Sequence, residues 1–407
     1  MHSRAVTRAR RPDRPPLPPG FWTIWTSVAI DLVGWGIILP ILPLYAEDFT
    51  DSKLTIGALV AVFSLMQLVF APVWGRVSDR VGRKPVLVVS LAGTALGSLL
   101  MGVAWSLPIL FLGRIVDGIS GGSISAAHAA VTDMAAPGQR ARLIGLLSAA
   151  FGIGFVVGPA IGGLAALEGR HLPFFVAAAI AGINALVAIR RLPETRPTTR
   201  VLDTSPDDVR RSVQNPWGLG RIQRLVLVVF VATSAFTAFE ATFALFGEDR
   251  FDLTIASTSG VFVAVGVCLV FFQAGMVHPV VARLGELGTV RAGLFLNIAG
   301  FVLLADAHRW LVLGPALVLI TAGQGLLTPA LTSMVAGGAR DDRRGAVLGV
   351  QQSASALARV AGPIVGTFLF GHVGVGAPFA AGAVLAVAAV ALTVGIPRDV
   401  HSEVTAG

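Results

Sequence analysis

The chain alternates between long apolar segments and short polar ones from residue 21 to residue 396. Most apolar segments run for about 20 residues, the length that an α-helix needs to cross the hydrocarbon core of a bilayer. The pattern predicts an all-α membrane protein with twelve transmembrane helices. These spans cover residues 21–43, 54–74, 85–104, 107–130, 142–167, 172–190, 223–246, 257–280, 289–305, 309–336, 345–370 and 375–396.

Three longer polar segments divide the chain. Residues 1–20 are basic and rich in proline, and we expect a disordered cytoplasmic tail without a cleaved signal peptide. Residues 191–222 carry Arg, Asp, Pro and Thr without periodicity and separate six spans from six. We therefore predict an N-terminal six-helix bundle at 21–190, a cytoplasmic linker at 191–222, a C-terminal six-helix bundle at 223–396 and a cytoplasmic tail at 397–407.

The composition agrees with a membrane location. Hydrophobic residues make up 54% of the 407 positions and charged residues 13%, whereas soluble domains are about 25% charged. A soluble protein of this composition would expose large apolar patches, so we exclude that class. Cys268 is the only cysteine, which excludes an intrachain disulfide and a multi-cysteine metal site.

The net charge of +8 tests the topology, because cytoplasmic loops of membrane proteins carry an excess of Lys and Arg. If the N-terminus is cytoplasmic and the spans alternate, Arg114 and Arg359 fall within spans. Only four of the 31 basic residues then lie outside: Lys53, Arg170, Arg250 and Arg309. We therefore predict two cytoplasmic termini, and contact of the positive charge with anionic lipid rather than nucleic acid.

A glycine-containing charged loop follows the second span. It reads Gly75-Arg76-Val77-Ser78-Asp79-Arg80-Val81-Gly82-Arg83-Lys84. This loop resembles the G-x-L-A-D-R-x-G-R-[RK] signature of the major facilitator superfamily, with Val77 and Ser78 in place of Leu and Ala. The resemblance implies the major facilitator fold, in which two six-helix halves surround a cavity lined by spans 1, 4, 7 and 10.

A glycine-rich string in the fifth span resembles a particular group within this superfamily. This string, Gly154-Phe155-Val156-Val157-Gly158-Pro159-Ala160-Ile161-Gly162-Gly163, is similar to a signature of drug exporters, and span 11 carries a weaker copy at Gly362-Pro363. Over most of its length the chain is similar to bacterial tetracycline:proton antiporters, although Asp117 and His128 in span 4 depart from them. Small residues four apart and a proline favour close helix packing and bending. Ordinary packing without a role in export is the alternative.

Charged residues inside the spans are the candidate site. A charge at the bilayer centre costs at least about 2.5–3.5 kcal/mol, so each one needs a partner or a function. Asp31 lies in span 1 without a charged neighbour on its own helix, and Glu240 lies in span 7. Arg114 and Asp117 are three residues apart in span 4 and share a helix face.

We assign proton coupling to Asp31, Asp117 and Glu240. Substrate binding is assigned to these three carboxylates together with Arg114, Ser125 and Gln324, the last on a polar stripe of span 10. Structural alternatives remain open: Asp31 as a packing carboxyl, Asp117 as a permanent partner of Arg114, and Glu240 as a partly solvated residue. Arg359 is expected to fix a helix interface through carbonyls or Gln351 and Gln352.

The remaining candidates concern conformational change. The resemblance implies a gating role for the loop after span 2 and for a charge cluster that Asp133 joins at the end of span 4. The gating candidates are Gly75, Asp79, Arg80, Gly82, Arg83, Asp133, Gly154, Gly158, Pro159 and Gly162.

The sequence contains no Walker loop and no nucleophile–base constellation, so we predict neither an ATPase nor an enzyme. No metal or cofactor is expected, and the proton motive force is the energy source that buried carboxylates could use. We therefore predict a monomeric, proton-coupled antiporter of the bacterial inner membrane. It would export small amphipathic compounds, such as tetracycline-like antibiotics or multiple drugs. A metabolite or nutrient facilitator of the same superfamily, or a membrane sensor without transport, is the alternative.

Overall fold

The computed structural model describes residues 16–135, 139–195, 220–338 and 344–396, which are helical and contain no strand. A π-helical turn, Phe272–Met276, joins α10 to α11. The α-helices are α1 (Phe21–Ile38), α2 (Leu42–Ala46), α3 (Lys53–Val81), α4 (Arg83–Gly102), α5 (Leu107–Ser120), α6 (Ser123–Asp133), α7 (Arg140–Ala166), α8 (Leu172–Arg191), α9 (Arg221–Phe251), α10 (Ile255–Phe271), α11 (Val277–Ala305), α12 (Trp310–Gly337), α13 (Arg344–His372) and α14 (Ala377–Thr393).

These helices form twelve spans, as the hydrophobic pattern predicts. Span 1 consists of α1 and α2, and span 4 consists of α5 and α6. Residues Ile255–Ala305 form one helical run of 51 residues. A straight helix of that length would measure about 77 Å, more than twice the hydrocarbon core. The run bends at Gly285, whose φ is 71°, and this bend divides it into spans 8 and 9. The twelve-helix fold is therefore confirmed.

The predicted tails and linker fall mostly outside the described residues, which include only 16–20, 191–195, 220–222 and none of 397–407. We call α1–α8 the N-half and α9–α14 the C-half. Because the spans alternate in direction, all their ends lie on two faces. The basic face carries the loop between α3 and α4. The opposite, acidic face carries Glu47, Asp48, Asp51, Glu168, Glu248, Asp249, Asp252 and Asp306 beside Lys53, Arg170, Arg250 and Arg309.

Helix ends follow local chemistry on both faces. The side chains of Ser52 and Thr254 accept the backbone N–H groups of Thr55 and Ser257, both at 3.3 Å, and so cap α3 and α10. Prolines occupy the first turn of α2, α5, α8 and α14, where a missing N–H leaves no helix bond unmade.

Three buried apolar clusters show how the halves are joined. One cluster extends through both halves on the side of the acidic face, from Ile37 and Phe155 to Phe243 and Phe379. The two clusters nearer the basic face are separate. One contains only N-half residues such as Leu91, and the other only C-half residues such as Leu331. The halves therefore meet toward the acidic face and diverge toward the basic face, which leaves the space between them open there.

Helix α7 uses two glycine faces to contact both halves. A Cβ atom on Gly158 would lie 2.6 Å from the Cα atom of Gly36 in α1. A Cβ atom on Gly163, on another face, would lie 2.7 Å from the Cβ atom of Ser259 in α10. Such separations exclude any side chain larger than hydrogen, so the glycine string of span 5 serves close helix packing. Its role in conformational change stays a prediction.

Gly158→Ala is expected to lower the free energy of unfolding by about 1–3 kcal/mol, because the added methyl group meets backbone that cannot move aside cheaply. The thermal unfolding temperature of the purified protein in detergent measures the effect. Gly145→Ala in the same helix is the matched control, because its Cβ atom would meet nothing within 4 Å. Equal unfolding temperatures for the two variants would contradict the packing of α7 on α1.

Candidate functional site

Asp31 lies on α1 where the opposite helix is broken. Its Oδ2 atom accepts a hydrogen bond from Ser123 Oγ at 2.7 Å, and the carboxyl is 9% exposed. Ser123 is the first residue of α6, directly after the break at Gly121 and Gly122. The N-terminus of a helix carries partial positive charge, so the break places a favourable field beside the carboxylate.

The break in span 4 is stabilised from α3. Ending α5 in mid-membrane frees backbone carbonyls, which need donors where no water is available. The indole N–H of Trp74 donates to the carbonyl of Ile119, and the amide of Gln67 donates to the carbonyl of Gly121 at 3.4 Å. These two hydrogen bonds stabilise the interruption of the span.

Arg114 and Asp117 form a buried ion pair. Arg114 Nη1 lies 3.1 Å from Asp117 Oδ2, and each residue is 4% exposed. The guanidinium stacks over the ring of Phe63 in α3 at 4.5 Å, and Asp117 packs against Gly97 in α4. Asp31 is close enough for its charge to interact with that of Asp117. The pair is therefore enclosed by N-half helices, beside Asp31.

Glu240 faces a cation of a neighbouring helix. Its charge interacts with that of Arg359 on α13, and both residues are partly exposed. The sequence suggested carbonyls or Gln351 and Gln352 as partners of Arg359, and it did not indicate that the charge of Glu240 lies near this arginine. The other two substrate candidates lie apart: Ser125 is exposed and donates to the carbonyl of Gly122 at 3.0 Å, while Gln324 lies on α12.

An aromatic chain crosses between the halves above these polar groups. The rings of Trp35 and Phe155 in the N-half are 5.9 Å apart, and Phe155 is 6.5 Å from Phe262 in the C-half. Phe262 in turn lies 5.7 Å from Phe243. We call these four rings the aromatic roof. Flat apolar surfaces of this kind suit planar ring systems.

The gating candidates on the basic face form one charged cluster inside the N-half. Arg83 donates to Asp79 at 2.6 Å and to Asp133 at 2.8 Å. Gly82 has φ 111°, and a Cβ atom there would lie 2.4 Å from Glu194 Oε2. Arg80 lies in the last turn of α3, and Gly75 faces open space. The structure therefore brings Asp79, Gly82, Arg83 and Asp133 together.

Sequence reasoning missed Glu194, which follows α8. Its carboxylate accepts the backbone N–H groups of Arg83 at 2.9 Å and Lys84 at 3.2 Å, and so caps α4. Residues this far apart along the chain gave no signal of contact. The only indication in the sequence was the position of this acid directly after Leu192 and Pro193, at the end of span 6.

On the acidic face, a carboxyl from each half lies beside the other. Glu47 follows α2, and Glu248 lies in the last turn of α9, close enough for their charges to interact. Lys53 Nζ contacts Glu47 Oε1, and Arg170, which pairs with Asp48 at 2.5 Å, also faces Glu248. Neighbouring carboxylates repel each other when both are charged, and Lys53 and Arg170 offset part of that repulsion. The sequence gave no indication of this pair.

Tyr45 fixes the loop that carries Glu47. Its hydroxyl lies 2.8 Å from His171 Nδ1 and 3.3 Å from the carbonyl of Met101. These contacts hold α2 against the end of α4 and the start of α8.

Known proteins agree with this architecture. The sequence profile of the Major Facilitator Superfamily matches residues 24–361. The tetracycline resistance protein of class G from Vibrio anguillarum is 35% identical over 84% of this chain and 88% of its own. The class C protein from Escherichia coli is 34% identical over the same shares. Multidrug resistance protein 1 of Bacillus subtilis is 29% identical over 92% of this chain and 96% of its own.

A solved structure extends the comparison to the fold. The crystal structure of the human organic anion transporter MFSD10 aligns with a TM-score of 0.71 at 26% identity, over 93% of this chain and 100% of that chain. The helical fold of this chain therefore has a solved counterpart.

Asp117→Asn is expected to destabilise the protein by about 3 kcal/mol or more, because it leaves the buried Arg114 uncompensated. Arg114→Gln should destabilise it similarly, and the double variant should be more stable than either single one. Unfolding temperatures of the four proteins form a double-mutant cycle. Additive losses in the double variant would contradict a structural ion pair and favour a separate role for Asp117.

Glu248→Gln is expected to keep the acidic face closed at all pH values, because the amide carries no titratable charge and can donate to Glu47. In the wild type, loss of the proton from Glu248 at higher pH places a negative charge beside Glu47, and their repulsion favours opening. Spin labels at Trp105 and Val373, in a Cys268→Ser background, report the distance between the halves. Equal lengthening with pH in both proteins would contradict this closure.

Proposed function

Because the chain belongs to the Major Facilitator Superfamily, we propose that it exports small amphipathic organic compounds in exchange for protons. The chain is a multi-pass membrane transporter, and its relatives are tetracycline resistance and multidrug resistance proteins. Proton coupling, the direction of transport and the compound are the proposed parts. The environment of Asp31 supports proton coupling, and the unequal closure of the two faces supports export.

The observation that best supports proton coupling is the carboxyl of Asp31 at the break in span 4. Its hydrogen bond to Ser123 links α1 to α6 across 92 residues of sequence. A proton on Asp31 neutralises a charge that is costly inside the membrane and weakens the interaction with the N-terminus of α6. Protonation therefore changes the relative free energies of the conformations in which Asp31 is enclosed or hydrated.

Alternating access follows from the unequal packing of the two faces. In this structure the shared apolar cluster and the Glu47–Glu248 pair close the acidic face. We propose that substrate enters from the basic face and that the halves then rock to open the acidic face, where substrate leaves and protons enter. Asp117 and Glu240 are the further proton-coupling candidates, and Arg114 assists through its pair with Asp117.

The lining supports an amphipathic substrate. Trp35, the partly exposed ring of the aromatic roof, offers an apolar surface, while Asp31 and Glu240 offer negative charge to a cationic or donor group. The names of the relatives make tetracycline a reasonable first compound and lipophilic cations a second. We further propose that the protein works as a monomer in a bacterial inner membrane, with its basic face and both termini in the cytoplasm.

Asp31→Asn is expected to reduce substrate-driven proton movement at least tenfold while leaving the unfolding temperature nearly unchanged, because the amide oxygen still accepts from Ser123. Purified protein in liposomes with an internal pH-sensitive dye measures proton movement after tetracycline or ethidium is added. Exchange of labelled for unlabelled substrate should persist, since it needs no net proton transfer.

Asp51→Asn is the matched control, because Asp51 is an exposed acid on the acidic face. Wild-type behaviour is expected for it. Substrate flux that ignores the pH gradient in the wild type would overturn proton coupling and favour a metabolite facilitator. Absence of flux for every compound of a broad panel would favour the sensor.

A further inference from the structure

A polar pocket lies in the wall of the C-half, between the middle of the bilayer and the basic face. It encloses a cavity of about 50 Å³ between α9, α12 and α13. Its lining contains no charged side chain, and its polar residues are Thr233, Gln324, Thr328, Gln351 and Ser355. A lining without charge recognises a ligand by hydrogen bonds and shape.

The orientation of the Gln351 amide is fixed by its neighbours. Its Nε2 atom donates to Thr332 Oγ1 at 3.1 Å. The hydroxyl of Thr332 donates its one hydrogen to the carbonyl of Thr328 at 2.9 Å, so toward Gln351 it can only accept. The amide N–H₂ must therefore point to Thr332, and the carbonyl oxygen of Gln351 points elsewhere.

Two amide oxygens of this pocket lack donors. Within the described part of the chain, the buried Oε1 atoms of Gln324 and Gln351 have no hydrogen-bond partner. The Nε2 atom of Gln324 is already used, because it lies 3.2 Å from Thr328 Oγ1. Proteins rarely leave buried acceptors unpaired, and two in one pocket indicate that a donor arrives from outside the chain.

We propose that this pocket is a specificity subsite for uncharged hydrogen-bond donors, namely hydroxyl or amide N–H groups along one edge of the transported compound. The inference rests on the proposed transport function and names its substrate class. The absence of Arg and Lys from the lining disfavours anions, and the absence of Asp and Glu disfavours a cationic group at this position.

The subsite also stands in a fixed relation to a charged group. Thr233 of the pocket and Glu240 are seven residues, or two helical turns, apart on α9, so they share a face about 10 Å apart. A compound with a donor-rich edge and a cationic or donor group about 10 Å away would engage both. Gln351 would then discriminate among compounds without taking part in proton transfer.

Gln351→Leu tests the subsite through equilibrium binding to purified protein. Tetracycline, which carries hydroxyl and amide donors, should bind roughly tenfold more weakly, the effect of about one lost hydrogen bond. Tetraphenylphosphonium, which has no donors, should bind with unchanged affinity. Gln352→Leu is the matched control, because this neighbouring glutamine is exposed and does not line the pocket.

Unchanged tetracycline affinity in Gln351→Leu, or an equal loss for both probes, would overturn the subsite, as would failure of the wild type to bind tetracycline. Gln324→Leu provides a second variant on another helix if Gln351→Leu does not fold, and the same selective loss is expected. Binding is measured without a pH gradient. A wild type that binds tetracycline selectively but moves no protons would therefore overturn the proposed function and leave the subsite standing.

Discussion

Every polar group inside this protein must find its partner within the chain, because the bilayer supplies none. This requirement explains features that would otherwise look unrelated. Trp74 and Gln67 donate hydrogen bonds to the carbonyls that lack helical partners at the break in span 4, and Asp117 forms an ion pair with Arg114. Among the buried polar atoms without a partner in the described part of the chain, the amide oxygens of Gln351 and Gln324 belong to residues that line one pocket, and this combination indicates where a ligand binds.

The same requirement distinguishes the buried charges by how firmly each one is held. Arg114 and Asp117 are paired, and Arg114 stacks on Phe63, so their arrangement resists change. Asp31 is held by one hydroxyl at an interrupted helix, and Glu240 faces Arg359 while partly exposed. Groups with one partner and some access to water can gain or lose a proton without disrupting the fold, which is what a coupling residue must do.

The resemblance of the loop after span 2 to a family signature singled out Asp79, Gly82 and Arg83. Hydrophobic periodicity was enough to predict the twelve spans. It was enough because membrane length and basic charge act along the chain itself. It did not predict Ser123 as the partner of Asp31, 92 residues away, or Glu194 as the cap of α4, 111 residues away. Such pairs depend on how helices are placed in space. The proximity of Glu47 and Glu248 could not be predicted for a further reason. Acidic residues are common at the ends of spans, so neither residue stood out in the sequence.

The continuous run from Ile255 to Ala305 has a mechanical consequence. Its first part lies against α7 of the N-half, its second part packs along α12, and its π-helical turn touches α12 at Gly325, next to Gln324. No flexible loop interrupts the path between the interface of the halves and the wall of the polar pocket. The helical run is irregular at the π-helical turn and at Gly285, and these two points are where it can bend most easily. Movement of one half relative to the other would therefore change the shape of the pocket directly. A compound bound there would restrict bending at the π-helical turn, which this movement requires.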